Sequence, residues 1–288
     1  MTRRADGLAA LAGAYDGFLL DQWGVLHDGA HAYPGALDAL ERLAAAAKPV
    51  VVLSNQPRLG AHVLARMEAL GFRRGLFAGV VTSGDETRAH LSRRPDDWYR
   101  ALGRRYLAVT DEARPAILDG LDLEPVGEVA AADFVLLLRT APGARVEDYE
   151  PLLTTAVARG LPAICANPDV TALDPDGVKI APGALAQRYR ELGGTVRSHG
   201  KPDAAFFARG REALALAPGA PLAVIGDNLD MDIGGAHAAG LDSVFIAGGV
   251  HLAELDTAWG EAPGAAALAR LFERHGVTPT WTLPALRW

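Results

Sequence analysis

Four short apolar runs constrain the fold of this 288-residue chain more than any other feature. They occupy residues 18–20, 50–53, 222–225 and 243–246. Runs without polar alternation are typical of strands buried on both faces of a parallel sheet. Between the first two, residues 33–47 carry leucines at helical spacing, and a Lys-Pro pair ends the pattern. Helices between buried parallel strands predict a doubly wound, Rossmann-like α/β sheet.

The stretch between Ser54 and Lys201 is too long for a single crossover connection between two strands. It contains three more strand candidates and one helical run, at 106–109, 134–138, 163–166 and 149–158. A stretch that can build its own core is a domain. We therefore predict an inserted α/β cap domain at 83–180 and a core domain made of 1–82 and 181–288.

Three of the apolar runs end in polar side chains. Asp21, Ser54 and Asp227 follow the first, second and third runs. Because ligands bind at the carboxyl ends of the strands in a sheet of this type, these side chains are predicted to share one rim.

The order of the motifs resembles the haloacid dehalogenase (HAD) superfamily. Residues 21–25 read Asp-Gln-Trp-Gly-Val, 54–55 Ser-Asn, 200–202 Gly-Lys-Pro and 226–232 Gly-Asp-Asn-Leu-Asp-Met-Asp. Phosphatases of this superfamily read Asp-x-Asp-Gly at the first motif. Further stretches, Tyr-Pro-Gly-Ala at 33–36, Val-Thr-Ser-Gly at 81–84 and Ala-Asn-Pro-Asp at 166–169, resemble its class IIA (NagD-like, nitrophenylphosphatase-like) group. Some members of that group carry Asp-x-Trp-Gly-Val.

This resemblance implies a phosphatase of small phosphorylated metabolites. Asp21 is then the nucleophile that forms an aspartyl-phosphate, which divides one hard displacement into two easier ones. Ser54 and Lys201 supply a hydroxyl and an ammonium to the phosphoryl oxygens. Asn55 is expected to bind phosphate beside them. Asn167 is expected to contact substrate from the cap, although Asn-Pro-Asp is also a common way to build a turn.

The resemblance also implies Mg²⁺ as cofactor. Magnesium prefers hard oxygen ligands and usually takes one or two protein carboxylates. Asp21 and Asp227 fit that role, with Asp232 orienting a ligand or a bound water. The backbone carbonyl of Trp23 completes the implied set, since a carbonyl does not depend on the side chain.

Trp23 stands where the family's second aspartate acts as acid and base. Indole donates through its N–H only and cannot take over proton transfer. That transfer contributes about 10²–10⁴-fold to a rate. His27, six residues after the nucleophile, is a candidate replacement, because imidazole titrates near neutral pH.

Two other functions compete with a phosphatase. A dehalogenase-like enzyme also carries a bulky aromatic residue at this position, but it needs no metal and leaves Asp227 and Asp232 unexplained. A poorly active protein that only binds a phosphorylated ligand is the second alternative. Phosphonate cleavage through a cap lysine is disfavoured, because Lys179 is the sole lysine in 83–180 and lies at its boundary.

Composition excludes several classes of protein. A net charge of −7 lacks the basic footprint of a nucleic-acid binder. No apolar run reaches the roughly 20 residues of a membrane span. The single Cys165 forms no intramolecular disulfide, suits a reducing compartment and is expected in the core. We therefore expect a cytoplasmic protein whose partner is a small phosphorylated molecule, with a homodimer compatible with the resemblance.

Overall fold

The computed structural model describes residues 2–112, 115–174 and 177–288. Within these ranges the chain forms fourteen strands: β1 (Arg3–Arg4), β2 (Gly17–Leu20), β3 (Val50–Ser54), β4 (Gly79–Thr82), β5 (Arg105–Val109), β6 (Glu124–Pro125), β7 (Phe134–Leu137), β8 (Ala163–Cys165), β9 (Thr171–Asp174), β10 (Gly177–Ile180), β11 (Val196–Ser198), β12 (Leu222–Gly226), β13 (Asp242–Ile246) and β14 (Trp281–Leu283).

Nine α-helices connect the strands of the described residues: α1 (Ala36–Ala45), α2 (Gly60–Ala69), α3 (Ser83–Arg93), α4 (Asp97–Ala101), α5 (Val146–Ala158), α6 (Pro182–Glu191), α7 (Ala204–Ala213), α8 (Gly234–Ala238) and α9 (Ala265–His275). Short 3₁₀ turns occupy Leu8–Ala10, Ala12–Ala14, Arg74–Leu76, Ala116–Leu118, Val129–Ala131 and Leu252–Glu254. A π-helical turn at Leu229–Ile233 precedes α8. No helix in these ranges combines the length and apolar character that crossing a lipid bilayer requires.

The first sheet contains seven parallel strands. Its order is β1-β14-β13-β12-β2-β3-β4, and every neighbouring pair is parallel. The four strands predicted from the apolar runs, β2, β3, β12 and β13, all lie in this sheet. The predicted doubly wound α/β fold is confirmed.

Side chains of β2 alternate between the two faces of this sheet. Phe18 and Leu20 join a cluster with Leu40 of α1 and Met67 of α2. Leu19 joins the opposite cluster, with Phe206 and Phe207 of α7. Because both faces are covered by helices, all four residues of β2 are buried, which is why the strand reads as a continuous apolar run.

A second parallel sheet has the order β11-β8-β7-β5-β6. Three of its strands, β5, β7 and β8, were predicted from their apolar runs. Helices α5 and α6 cover one face, where Cys165 is buried as predicted. Side chains of α3 and α4 cover the other. Strands β9 and β10 form a separate antiparallel pair.

The division of the chain into two domains stays a prediction, and the strand order suggests one change to it. Strand β11 pairs with β8, and α6 packs in the core of the second sheet, although both follow Ile180. A boundary drawn at residue 180 would separate them from their sheet. We therefore propose that the cap extends to about Ser198, where the chain returns towards Lys201.

Candidate active site

Lys201 lies at the centre of a buried charge cluster at the carboxyl edge of the seven-stranded sheet. It follows β11 and precedes α7, in the segment that returns to that sheet. Its Nζ atom is 2.9 Å from Asp21 Oδ1 and 2.7 Å from Asp232 Oδ1. Only 3% of the lysine side chain and 13% of the Asp21 side chain are exposed. Each charge is therefore compensated by the other charges more than by water.

Three carboxylates meet at this cluster. Asp21, after β2, and Asp227 and Asp232, after β12, each place an oxygen within 4.8 Å of the other two. Backbone amides fix two of them. Val250 N–H donates to Asp227 Oδ2 at 2.7 Å, and Asn228 N–H donates to Asp232 Oδ2 at 3.1 Å. The sequence-predicted carboxylates are thus brought together.

The backbone approaches Asp227 so closely that only glycine fits at two positions. A β-carbon on Gly24 would lie 1.9 Å from Asp227 Oδ2, and one on Gly249 would lie 2.1 Å from the same atom. Gly24 also has a φ of 73°, in the left-handed region that favours glycine. The glycine after Trp23 therefore makes room for a carboxylate supplied by the far end of the chain.

The charges of the cluster shift each other's pKa values. Burial raises the pKa of Asp21, with Lys201 opposing, and burial together with the Asp21 carboxylate raises the pKa of Asp227. Burial alone would lower the pKa of Lys201, but the carboxylates of Asp21, Asp232 and Asp169 raise it overall. Three carboxylates against one ammonium leave an excess of negative charge, and their oxygens are the donor set that Mg²⁺ prefers.

Ser54 lies at the end of β3 and is held by a neighbour that the sequence did not single out. Gln22 Nε2 donates to Ser54 Oγ at 2.7 Å, and Gln22 Oε1 lies 3.3 Å from His27 Nε2. Gln22, Ser54 and His27 are 2%, 1% and 1% exposed. The sequence signal that could have indicated Gln22 is its position directly after Asp21, at the end of an apolar strand.

Asn55 connects the two sheets through its side-chain amide. Its Oδ1 accepts from the Lys201 backbone N–H at 2.7 Å, and its Nδ2 donates to Asp169 Oδ1 at 2.8 Å. Asn167 Oδ1 accepts from Asp169 N–H at 3.1 Å, which is the turn geometry that Asn-Pro-Asp favours. Both asparagines line the cavity described next, and the phosphate and substrate contacts predicted for them stay predictions.

A cavity of about 430 Å³ opens above the cluster and is lined by both sheets' loops. Trp23 and His62 form part of its wall, together with several cationic side chains, namely Arg58, Arg66, Arg139 and Lys179. Glu112 pairs with Arg58 at 2.9 Å and with Arg139 at 3.2 Å, which connects the loop after β3 to the loop after β7. The indole ring contacts His27 edge to face, with ring centroids 5.2 Å apart.

His27 lines the cavity, but other groups of the protein contact both of its ring nitrogens. Its Nδ1 accepts from the Gly29 N–H at 3.0 Å, and its Nε2 faces Gln22. Burial lowers the pKa of His27 to about 4, so the ring is neutral at neutral pH. These contacts do not favour His27 as the proton donor to a leaving group, and that role stays a prediction.

Comparison with known proteins agrees with the motif order. A family model described as haloacid dehalogenase-like hydrolase matches residues 18–124, and one described as HAD-hydrolase-like matches 198–273. Human chronophin is 30% identical over 265 residues, which cover 86% of this chain and 86% of chronophin. The chain belongs to the haloacid dehalogenase superfamily of hydrolases. The narrower subgroup defined by a tryptophan in the first motif stays a prediction.

Two solved structures of this HAD hydrolase's relatives share most of its architecture. A haloacid dehalogenase-like hydrolase from Brucella suis is 33% identical, with a TM-score of 0.81 and coverage of 98% of this chain and 99% of the other. A glycerol phosphate phosphatase from Mycobacterium tuberculosis, solved in complex with magnesium, is 28% identical, with a TM-score of 0.62 and coverage of 88% and 75%. The overall architecture is therefore shared with these two relatives.

The depressed pKa of His27 predicts how the stability of this HAD hydrolase depends on pH. The folded pKa of about 4 lies below the ordinary value of 6.5, so the folded state binds fewer protons than the unfolded state. The stability that depends on a neutral ring is present above pH 6.5 and is lost as the pH falls towards 4. We expect the advantage of the wild type over His27→Gln in unfolding free energy to shrink by about 2–3 kcal/mol between pH 7.5 and 4.5.

Urea unfolding of both proteins at the two pH values measures this difference. His31→Gln is the matched control, because His31 is an exposed histidine of the same loop. An advantage that stays constant between the two pH values would contradict a buried, neutral His27.

Proposed function

We propose that this HAD hydrolase is a magnesium-dependent phosphatase that acts on a small phosphorylated metabolite through an aspartyl-phosphate at Asp21. The observation that carries the proposal is the position of Lys201 between Asp21 and Asp232, with Asp227 beside them, at the floor of the cavity. This arrangement joins a nucleophile, a cation for the phosphoryl oxygens and hard oxygen ligands for a metal in one place.

Asp21 is the group that attacks phosphorus in this proposal. Its carboxylate lies at the floor of the cavity and is 13% exposed, which leaves it accessible to a substrate. Lys201 holds the carboxylate by its Oδ1 atom, and its positive charge opposes the rise that burial causes in the pKa of Asp21. Lys201 and the Ser54 hydroxyl then stabilise the charge that spreads over the phosphoryl oxygens during transfer.

Asp21, Asp227 and the backbone carbonyl of Trp23 would hold the metal, with Asp232 orienting Lys201 and the loop after β12. When bound, Mg²⁺ neutralises charge that develops on the phosphoryl oxygens. The excess negative charge of the carboxylate cluster supports a divalent cation, and the related glycerol phosphate phosphatase was solved in complex with magnesium.

The substrate is proposed to be a small anionic metabolite. The cavity of about 430 Å³ suits a small ligand, and its wall carries cationic side chains beyond Lys201. Relatives of this chain are named for such substrates, as in the D-glycerol 3-phosphate phosphatase of Mycobacterium tuberculosis, 28% identical over 247 residues. Cationic walls also raise the local concentration of an anionic substrate.

A protein that binds a phosphorylated ligand but turns it over poorly is the second candidate. Trp23 favours it, because no acid and base stands at that position. A dehalogenase-like activity is less well supported, since three buried carboxylates around one lysine would repel each other without a cation. A panel of phosphorylated metabolites and p-nitrophenyl phosphate, assayed with magnesium and with a chelator, separates the three functions.

Asp21→Asn is expected to lower turnover of every active substrate by about 10⁴-fold or more, because it removes the attacking oxygen with little change of volume. Asp230→Asn is the matched control. Asp230 lies outside the cluster, where it is exposed and pairs with His275. Steady-state rates of both variants test this prediction, and an Asp21→Asn protein with full activity would rule out covalent catalysis at this residue.

Asp227→Asn should weaken magnesium binding without destabilising the metal-free protein. Burial and the neighbouring Asp21 carboxylate raise the pKa of Asp227, so its charge is unfavourable until a cation compensates it. We expect magnesium to raise the Tm of the wild type and to have little effect on Asp227→Asn. In chelator, the variant should unfold at the same temperature as the wild type or higher. An equal magnesium-induced rise in both proteins would place the metal elsewhere.

Trp23 predicts a strong dependence of the rate on the leaving group. Without an acid at this position, aryl and acyl phosphates should be hydrolysed far faster than alkyl phosphates, because their oxygens leave without protonation. Trp23→Asp should recover part of the alkyl phosphate activity, about 10²-fold or more, if the pocket accepts the loss of the indole. Rates across a series of phosphate esters measure the slope. A flat series would show that protonation is supplied by another group or does not limit the rate.

A further inference from the structure

A buried chain of hydrogen bonds leads from His27 through Gln22 to Ser54. His27 Nε2 and Gln22 Oε1 are 3.3 Å apart, and Gln22 Nε2 and Ser54 Oγ are 2.7 Å apart. None of the three side chains is more than 2% exposed. We call this chain the His27–Gln22–Ser54 relay.

The Gly29 backbone fixes the direction of every bond in the relay. Gly29 N–H donates to His27 Nδ1 at 3.0 Å, so Nδ1 is the unprotonated nitrogen of the ring. The proton of the neutral imidazole is therefore on Nε2, and it is donated to Gln22 Oε1. The Gln22 amide must then turn its NH₂ group towards Ser54.

The opposite direction would place two donors against each other. If Ser54 donated to the Gln22 oxygen, the Gln22 amide would donate to His27 Nε2, and the ring proton would have to lie on Nδ1. That proton would face the Gly29 N–H, which cannot accept it. The Gly29 backbone N–H, which can only donate, thus determines the orientation of the Gln22 side-chain amide.

The relay occupies the Ser54 hydroxyl as an acceptor and leaves it one hydrogen bond to donate. Ser54 Oγ accepts from Gln22 Nε2 and, at 3.3 Å, from the Gln56 N–H. In the described residues it donates to none. Its proton is therefore left for a ligand in the cavity that Ser54 lines beside Asp21 and Lys201.

We propose that Gln22 and His27 are positioning residues that force the Ser54 hydroxyl to donate to an oxygen of the bound phosphoryl group. This inference rests on the proposed function, because it assumes that a phosphoryl group occupies the cavity. The relay prevents the hydroxyl from turning back into the protein, so that no reorientation is needed when the ligand binds.

Trp23 supports the same relay. Its indole contacts the His27 ring edge to face, and a β-carbon on Gly29 would lie 2.1 Å from the indole. The indole is thus packed against the ring and against the glycine whose N–H sets the tautomer. The residue that occupies the place of the family's acid and base thereby holds His27 in position.

The protonation state of His27 tests the direction of the relay without using activity. Nitrogen-detected NMR of the wild-type protein, with His27→Gln to assign the signal, should show the Nε2–H tautomer for His27 from pH 6 to 8. An Nδ1–H tautomer or a charged ring in that range would overturn the relay.

The energetic coupling between Gln22 and Ser54 in phosphate binding tests whether the relay orients the Ser54 hydroxyl. Binding of inorganic phosphate in the presence of magnesium is measured by calorimetry for the wild type, Ser54→Ala, Gln22→Met and the double variant. Gln22→Met keeps the volume and removes the amide. Ser54→Ala should weaken binding about tenfold, as expected for one hydrogen bond to a charged group. Gln22→Met should weaken it about threefold or more, and the double variant should be no weaker than Ser54→Ala alone.

Matched controls and a conservative variant complete the experiment. Gln187→Ala, on the exposed side of α6, should bind phosphate like the wild type. His27→Gln can still donate to Gln22 and should retain most of the affinity, whereas His27→Leu should lose as much as Gln22→Met. Additive losses in the double variant, or equal affinities of His27→Gln and His27→Leu, would overturn the relay.

The outcomes separate this inference from the proposed function. Coupled phosphate binding in a protein that hydrolyses no ester would support the relay and reject the phosphatase. Hydrolysis with additive losses would support the phosphatase and reject the relay. A wild-type protein that binds no phosphate would overturn the relay whatever its turnover.

Discussion

The ion pairs of Lys201 with Asp21 and Asp232 are the interactions on which the candidate site depends. One ammonium group, almost fully buried, holds carboxylates that come from two different strands and would otherwise repel each other. Removing the Lys201 ammonium would leave the carboxylates uncompensated, which costs several kcal/mol in proteins. Because carboxylates outnumber ammonium groups in the cluster, an added divalent cation would relieve the remaining repulsion.

The surrounding backbone is shaped around this cluster. Gly24 and Gly249 leave room for Asp227, the Val250 amide binds its carboxylate, and Asn55 holds the backbone of Lys201. These contacts join segments from both ends of the chain at one edge of the sheet. Asn55 also binds Asp169 from the second sheet, so the same residue that fixes the lysine connects the two sheets. One amide side chain thus contacts both the backbone of the buried lysine and the second sheet.

Trp23 changes the chemistry of the site and also the structure of its wall. The indole cannot transfer a proton, and its packing against His27 and Gly29 keeps the imidazole buried and neutral. Both ring nitrogens of the histidine that sequence distance suggested as a substitute acid contact other groups of the protein, Gly29 and Gln22. In return, its fixed tautomer orders Gln22 and Ser54. His27 thus contributes to the candidate site through the hydrogen bonds that it forms within the relay.

The sequence by itself determined the fold class and the strand ends that carry the candidate site. Continuous apolar runs are produced by burial on both faces, and parallel strands place their carboxyl ends at one edge, so Asp21, Ser54 and Asp227 were predictable as neighbours. The resemblance to a known family added Lys201 and Asp232, and the family itself was confirmed. The roles of these residues stay predictions, whereas the structure shows that the residues lie close together.

Only the tertiary structure decided how the side chains are used. Strand β11 was missed because it is short and half-buried, and its place in the second sheet shows only through its pairing with β8. The sequence gives no sign that Asn55 would bind Lys201 and Asp169, because these partners are more than a hundred positions away along the chain. Likewise, the direction of the Gln22 amide depends on the Gly29 N–H and on a ring buried by Trp23. Sequence patterns report burial and backbone period, whereas the direction of a hydrogen bond is set by whichever distant donor or acceptor folding brings within 3 Å or so.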